Sequence, residues 1–315
     1  MRGNNSIMRI GPDYIQFYPT LRCNQSCEFC FNRSMPFLPD MSFDDFKVML
    51  EKLVALRVRT LDIIGGEPTL HTQITDIVQQ TVQRGLNVNI SSNGTNISVL
   101  ENLLGIGNTV TIGISINDRE TLERVAGFVR KNEVVVKSVF RPSMDEAFIH
   151  DILALKPRKF YLIYRDALDR KDLHTSVPFH QFMSVMEERF SSPHIGAVFC
   201  SGFIPESKNY PELARVRCPA GTTKLGIMPD GSVYPCNLFF GKKEFLLGNI
   251  LTDPFESIGN HPALAFFRAV AVNSCPQTTC ELHTRCHGGC PAHGFAHTGS
   301  LNTPDPRCAR GRKYR

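Results

Sequence analysis

The chain has 315 residues, 42% hydrophobic and 21% charged, the balance of an ordinary globular protein long enough to bury a full core. Its formal charge of +5 suits an anionic small molecule or an acidic peptide and falls short of the basic stripe of a nucleic-acid binder, so no nucleic-acid partner is expected. No apolar run approaches the ~20 residues that span a bilayer, and the tail 1–12 lacks the apolar stretch of a secretory signal, so no membrane association is expected and the default location is cytoplasmic.

Beyond that tail, β-rich runs alternate with amphipathic stretches. Strands are expected at Asp13–Tyr18, Thr60–Ile64, Leu86–Ser91, Thr109–Ile116, Val134–Phe140 and Lys159–Tyr164, all rich in Ile, Val, Phe or Tyr. Helices are expected from Phe43 to Leu56 and at Thr72–Arg84, Ser98–Leu104, Arg119–Arg130 and Pro178–Phe190. The first places Phe46, Met49, Leu50, Leu53 and Leu56 on one face, with Ser42 as its N-cap. Six β-α units at this spacing define an α/β protein whose parallel sheet, over residues 13–195, is open or curled into a partial barrel. Functional residues then belong on loops at the carboxyl ends of the strands.

The texture changes in the last third, 196–315. Helical periodicity fades and Gly, Pro, Cys and His rise, with Asp230-Gly231 marking a hairpin between apolar flanks. This is the composition of a small loop-rich domain held by metal instead of a large core.

Eleven cysteines in a reducing compartment read as metal ligands before disulfides. Cys23, Cys27 and Cys30 sit near the start, none follows until Cys200, and Cys218, Cys236, Cys275, Cys280, Cys286, Cys290 and Cys308 complete the set. Three plus eight matches one open iron–sulfur cluster and two closed ones. Cys23-x3-Cys27-x2-Cys30 follows the first strand, and three thiolates on a [4Fe–4S] cluster leave one iron open, as a catalytic metal site requires. A zinc knuckle, or a structural cluster with a distant fourth ligand, is the plainer reading of the triplet alone. One β-α unit later, Ile63-Ile-Gly-Gly-Glu-Pro68 ends the second strand with two glycines that permit close approach to the backbone and an acid that can accept hydrogen bonds from an ammonium group.

At these residues the chain resembles the radical S-adenosylmethionine (SAM) superfamily: CxxxCxxC after strand one, the aromatic Phe29 before the third cysteine, and GGEP after strand two. The resemblance implies a partial (β/α)6 barrel in which the open iron binds the amine and carboxylate of SAM, while Gly65, Gly66 and Glu67 secure the amine. It also implies reductive cleavage of SAM to a 5′-deoxyadenosyl radical that abstracts a substrate hydrogen, with the protein positioning the cofactor and excluding water. An electron donor such as flavodoxin or ferredoxin is implied as partner. Ser91-Ser-Asn93-Gly94 and Ser115 match places where family members contact SAM, although Ser and Asn are also ordinary turn residues. The family's SLDG stretch reads Ser115-Ile-Asn-Asp118, which leaves the methionine carboxylate without an assigned partner.

The later cysteines resemble the SPASM domain attached to many radical SAM enzymes, with a four-residue gap between Cys275 and Cys280 where that pattern has two. The resemblance implies two auxiliary [4Fe–4S] clusters, one on Cys218, Cys236 and Cys290, the other on Cys275, Cys280, Cys286 and Cys308. Cys200 is then either the fourth ligand of the first or a free thiol that donates a hydrogen atom to a substrate radical. With thiolates sufficient, His283, His287, His293 and His297 are expected mostly at the surface.

SPASM enzymes commonly modify peptides, which makes a peptide maturase forming a cross-link, an epimer or an oxidised side chain the leading expectation. A peptide would be presented by a separate carrier protein or recognised directly. The alternative is a radical epimerase or dehydrogenase of a small polar metabolite such as an aminosugar; a non-catalytic iron–sulfur carrier is more remote, since it needs no SAM amine site. Anaerobic sulfatase maturases carry an acid directly after the YPC cysteine. Here Asn237 stands there and is no base near neutral pH, so formylglycine formation is disfavoured.

Overall fold

Apolar residues at alternate strand positions call for helices over one side of the sheet, and the computed structural model, which describes residues 11–190, 192–198, 218–270, 272–273, 275–280, 283 and 287–308, has them there. The strands β1 (Tyr14–Phe17), β2 (Thr60–Ile63), β3 (Asn87–Ser92), β4 (Val110–Ser115), β5 (Val135–Val139) and β6 (Lys159–Ile163) lie close to their expected bounds. They pair in parallel in chain order. Five connecting helices match the expected periods: α1 (Phe43–Ala55), α2 (Ile74–Gln83), α3 (Ile97–Leu104), α4 (Arg119–Lys131) and, further on, α7 (Phe179–Glu188). Ser42 caps α1 as expected, its Oγ accepting from the Asp45 N–H at 3.1 Å. Two helices escaped the periodicity, α5 (Glu146–Ala154) and α6 (Arg170–Thr175); Asp145 and Asp169 cap them and were their sequence signal.

The sheet is longer than six strands. A seventh, β7 (Ile195–Val198), pairs in parallel with β6 across the expected division between residues 195 and 196. On the opposite side β8 (Lys224–Ile227) pairs in parallel with β1. β9 (Ser232–Tyr234) and β10 (Gly248–Asn249) then continue antiparallel. The hairpin turns at Gly231, whose φ of 82° favours glycine. The cysteine-rich part therefore contributes strands to the same ten-stranded sheet. It also contains an α-helix, Pro291–Thr298, where helical structure was expected to fade; Pro291 at its first position and left-handed Gly299 after its end were the signals.

The two faces of the sheet differ in chemistry. Ile15, Phe17, Leu61, Ile63, Val88, Ile90, Ile112 and Ile114 pack with Phe46, Met49, Leu50 and Leu53 of α1 in one apolar core. Tyr14, Gln16, Asp62 and Lys137, at the alternate positions, are buried too, and they line the concave side with polar groups. No helix among the described residues is long and apolar enough to cross a membrane.

One lysine ties the two parts of the chain from behind. Lys52 on α1 donates to the carbonyls of Ile250, Leu251 and Asp253 at 2.6, 3.2 and 3.1 Å. Lys52→Met is expected to lower stability by about 1–3 kcal/mol, read from urea unfolding, because three carbonyls lose a charged donor.

Candidate active site

The cysteine triplet occupies the irregular loop at the carboxyl end of β1, with Cys23 exposed and Cys27 and Cys30 half-buried. A tight turn closes it, the Cys30 N–H donating to the Cys27 carbonyl at 3.1 Å, and half-buried Phe29 lies within that turn. Burial pushes the Cys27 and Cys30 thiols up from their ordinary range, and their neighbours in the triplet push them further. The three sulfurs are thus within electrostatic reach of one another. Yet no three His, Cys, Asp or Glu side chains among the described residues converge as ligands of a single metal ion.

A polar clamp holds the start of this loop. Arg22 forms an ion pair with Asp40 and donates to the Leu70 carbonyl at 2.7 Å, while Thr20 Oγ donates to Asp40 at 2.6 Å. The Gly65-Gly66-Glu67 loop crosses directly over it: the Gly66 N–H donates to Thr20 O at 3.1 Å and the Glu67 N–H to Arg22 O at 2.7 Å. A Cβ on Gly66 would lie 2.0 Å from Arg22 O, and one on Gly65 2.5 Å from Thr20 O. The backbone these glycines admit on their Cβ side is that of the cluster loop itself.

Glu67 is also more committed than its motif implied. It is buried, and its Oε1 accepts from the Thr69 N–H, Thr69 Oγ and Ser92 Oγ at 3.0, 2.7 and 2.9 Å. Its Oε2 accepts from the Asn93 N–H at 2.7 Å, which leaves that oxygen one acceptor site. Asn93 in turn donates through Nδ2 to Asn24 Oδ1 at 2.9 Å, and the same amide lies 3.9 Å from Cys23 Sγ. The ends of β2 and β3 are thereby bound to the cluster loop.

Ser91 and Ser115 line the concave side with a group the motifs did not reveal. Lys137 on β5 is in register with Ser115 on β4 and donates to Ser91 Oγ on β3 at 2.5 Å. It reaches past Gly113, the residue in register with Ser91, which has no side chain to block it. Burial lowers the Lys137 pKa from 10.5 to about 8, against the opposing pull of Asp62. A charged residue at an inward position of a strand was the available signal.

The cysteine-rich part brings its own polar groups to this side. Asn237, buried beside Cys236, donates through Nδ2 to the Tyr18 hydroxyl at 3.2 Å, so its amide side chain lies against the residue that follows β1. Cys236 is buried and Cys218, Cys275, Cys280, Cys290 and Cys308 are half-buried. Burial, with Asp305 and Cys236 adding to it, pushes the Cys290 thiol up to about 12. A cluster's positive irons are what would let such thiols ionise. Cys200 and Cys286 lie outside the described residues.

Two histidines depart from the expectation of surface positions. His293 is 0% exposed and its Nε2 accepts from the Ala167 N–H at 2.9 Å, while half-buried His297 Nε2 lies 2.8 Å from the Ala167 carbonyl. Half-buried His283 lies 3.1 Å from the Cys275 carbonyl. Beside His293, Arg307 pairs with Asp305 at 2.7 Å and donates to the Arg165 carbonyl at 2.9 Å just past β6. Burial opposes ionisation of Asp305, yet Arg307 holds its carboxyl below the ordinary range. The Asp305 carboxylate also accepts from the Cys290 N–H at 3.2 Å.

An open thiol triplet, a glycine loop locked against it and a second thiol-rich part on the same sheet define a cluster-dependent enzyme of the parallel-barrel type. Comparison with known proteins agrees. The Radical SAM superfamily model matches residues 17–140, and the model for an iron–sulfur cluster-binding domain, SPASM, matches 218–291. The antilisterial bacteriocin subtilosin biosynthesis protein AlbA of Bacillus subtilis is 29% identical over 90% of this chain and 68% of its own length. Mycofactocin maturase MftC of Mycolicibacterium smegmatis is 27% identical over 93% and 81%. The crystal structure of Streptococcus suis SuiB bound to SAM matches with a TM-score of 0.72 at 16% identity, covering 95% of this chain and 77% of that one. The chain belongs to the radical SAM superfamily and carries a SPASM domain, and it is an enzyme that uses SAM and iron–sulfur clusters.

Two outcomes follow from the site's geometry. Gly66→Ala is expected to abolish SAM binding and strip iron from the N-terminal cluster while the SPASM iron stays, as measured by iron content and SAM titration, because the loop crossing has no room for a methyl group. In the apo-protein, Lys137 carries the full cost of a buried charge below pH 8. Between about 8 and 10.5 the folded state has shed a proton that the unfolded state keeps, so wild-type stability rises relative to Lys137→Met. The variant should be more stable at pH 7, by at most about 3 kcal/mol, and the gap should close toward pH 10.5 in pH-dependent urea unfolding.

Proposed function

We propose that this enzyme modifies a peptide or protein: a maturase that forms a cross-link, an epimer or an oxidised side chain. The observation that carries the reading is the similarity to AlbA and MftC over 90% and 93% of this chain, one a bacteriocin biosynthesis protein and the other a maturase. The fold supports it, since SuiB is also known bound to its precursor peptide SuiA, with a TM-score of 0.69 to this chain. Three [4Fe–4S] clusters fit the eleven cysteines of the sequence: one on Cys23, Cys27 and Cys30, one on Cys218, Cys236 and Cys290 with Cys200, and one on Cys275, Cys280, Cys286 and Cys308.

Within this reading the chain's residues divide the work of holding SAM. The carbonyl edge of Gly65 and Gly66 and the spare Oε2 site of Glu67 receive the amine. Lys137, between Ser91 and Ser115, supplies the cation that the carboxylate otherwise lacks. Ser91, Asn93 and Ser115 border the ribose, and Phe29 packs beside the cluster loop. Cys23, Cys27 and Cys30 would hold the cluster, which would supply one-electron reduction of SAM for hydrogen abstraction from the substrate. Asn237 and Tyr18 present an amide and a phenol, with no carboxylate, where the barrel meets the SPASM domain. An amide at the position of Asn237 is no general base, which disfavours formylglycine formation. A flavodoxin or ferredoxin would deliver the electron, and a separate carrier protein or the barrel mouth itself would present the peptide.

The test is anaerobic incubation of reduced enzyme with SAM and synthetic peptides encoded beside its gene. Deoxyadenosine and a changed peptide mass are expected together, and both should vanish in Cys27→Ala. Deoxyadenosine release without any change in peptide mass would turn the reading toward a small-molecule substrate.

A further inference from the structure

The mechanism leaves unused one buried group with an unanswered hydrogen bond. His293 is fully buried on the helix Pro291–Thr298, three residues after Cys290. Because its Nε2 accepts the Ala167 N–H at 2.9 Å, the ring proton of the neutral imidazole resides on Nδ1. Among the described residues Nδ1 has no hydrogen-bond partner. A buried donor left unmade costs on the order of 1–3 kcal/mol, so this position calls for an acceptor. The acceptor's place is narrowed by the helix, since residues three apart share a face and His293 stands three after Cys290 at the helix start. Asp305 and Arg307, the charged groups nearest Cys290, are paired with each other.

We propose that the His293 Nδ1–H donates a hydrogen bond to a sulfur of the auxiliary cluster held through Cys290, and so sets that cluster's reduction potential. The inference rests on the assignment of Cys290 as a cluster ligand. A hydrogen bond to cluster sulfur stabilises the more negative, reduced state and raises the potential. His293 is then a positioning and tuning residue, with no contact to substrate. The buried site also explains why a histidine stands where an apolar residue would satisfy the packing.

The experiment uses reconstituted full-length enzyme labelled with 15N-histidine and reduced anaerobically. Hyperfine spectroscopy of the reduced auxiliary cluster should resolve coupling to one imidazole 15N and to one proton that exchanges in D2O. In His293→Phe both couplings should disappear. Its auxiliary midpoint should move negative by about a tenfold change in the reduction equilibrium, ~59 mV for one electron. His293→Gln keeps an acceptor for Ala167 and a donor for sulfur, and should stay near wild type. The N-terminal cluster's midpoint should not move in either variant. Absence of the 15N coupling in wild type overturns the inference even where His293→Phe fails to assemble, as does an unchanged midpoint in an assembled variant. Unchanged cluster content in Cys290→Ala would instead overturn the ligand assignment beneath it.

Discussion

The crossing of two loops governs the rest of the site. The cluster loop leaves β1 and the Gly-Gly-Glu loop leaves β2, and they meet backbone to backbone through two hydrogen bonds, Gly66 to Thr20 and Glu67 to Arg22. Only residues without Cβ allow that contact, because a methyl group on Gly66 would overlap the Arg22 carbonyl. Once the loops are locked, the orientation of Glu67 follows. Its four hydrogen bonds extend the lock to the end of β3, where Asn93 reaches back to the cysteine loop. The cysteines are therefore presented by a framework of three strand ends.

That framework sits on a sheet with opposed faces. The helix side is a dry core, and its burial holds the strands in register. The concave side buries Tyr14, Gln16, Asp62 and Lys137, an arrangement that costs stability in the absence of a ligand. Tyr14 donates to Asp62 at 2.6 Å and Lys137 to Ser91 at 2.5 Å, so the lumen is internally bonded and preorganised for a polar cofactor. Stability is supplied on one face and chemistry on the other.

The SPASM part does not hang from the barrel by a linker alone. β8 extends the sheet beside β1, Lys52 grips its loop carbonyls from behind, and Arg307, His293 and His297 hold the segment just past β6. The Arg307 guanidinium also stacks on Tyr164, 4.4 Å from the ring centroid, so the buried pair with Asp305 is packed as well as charged. Thiols of both parts are thereby kept in a fixed relation across one continuous sheet, which is what electron transfer or substrate positioning between clusters requires.

Periodicity and spacing carry local information, and here they were enough for the six parallel strands, five of the helices and the hairpin, because each rests on contacts between near neighbours in the chain. The triplet, the glycine pair and the later cysteines were legible for the same reason: cluster chemistry restricts both residue type and spacing. Short elements such as β7 and α6 offer too few positions to show a period. Tertiary structure alone decided that the glycines answer the cluster loop, that Glu67 is bound up by β3, that Lys137 reaches Ser91 and that His293 is interior. Each depends on a partner far away in sequence, and a single sequence holds no record of which distant backbone will fill the space beside a glycine or a histidine.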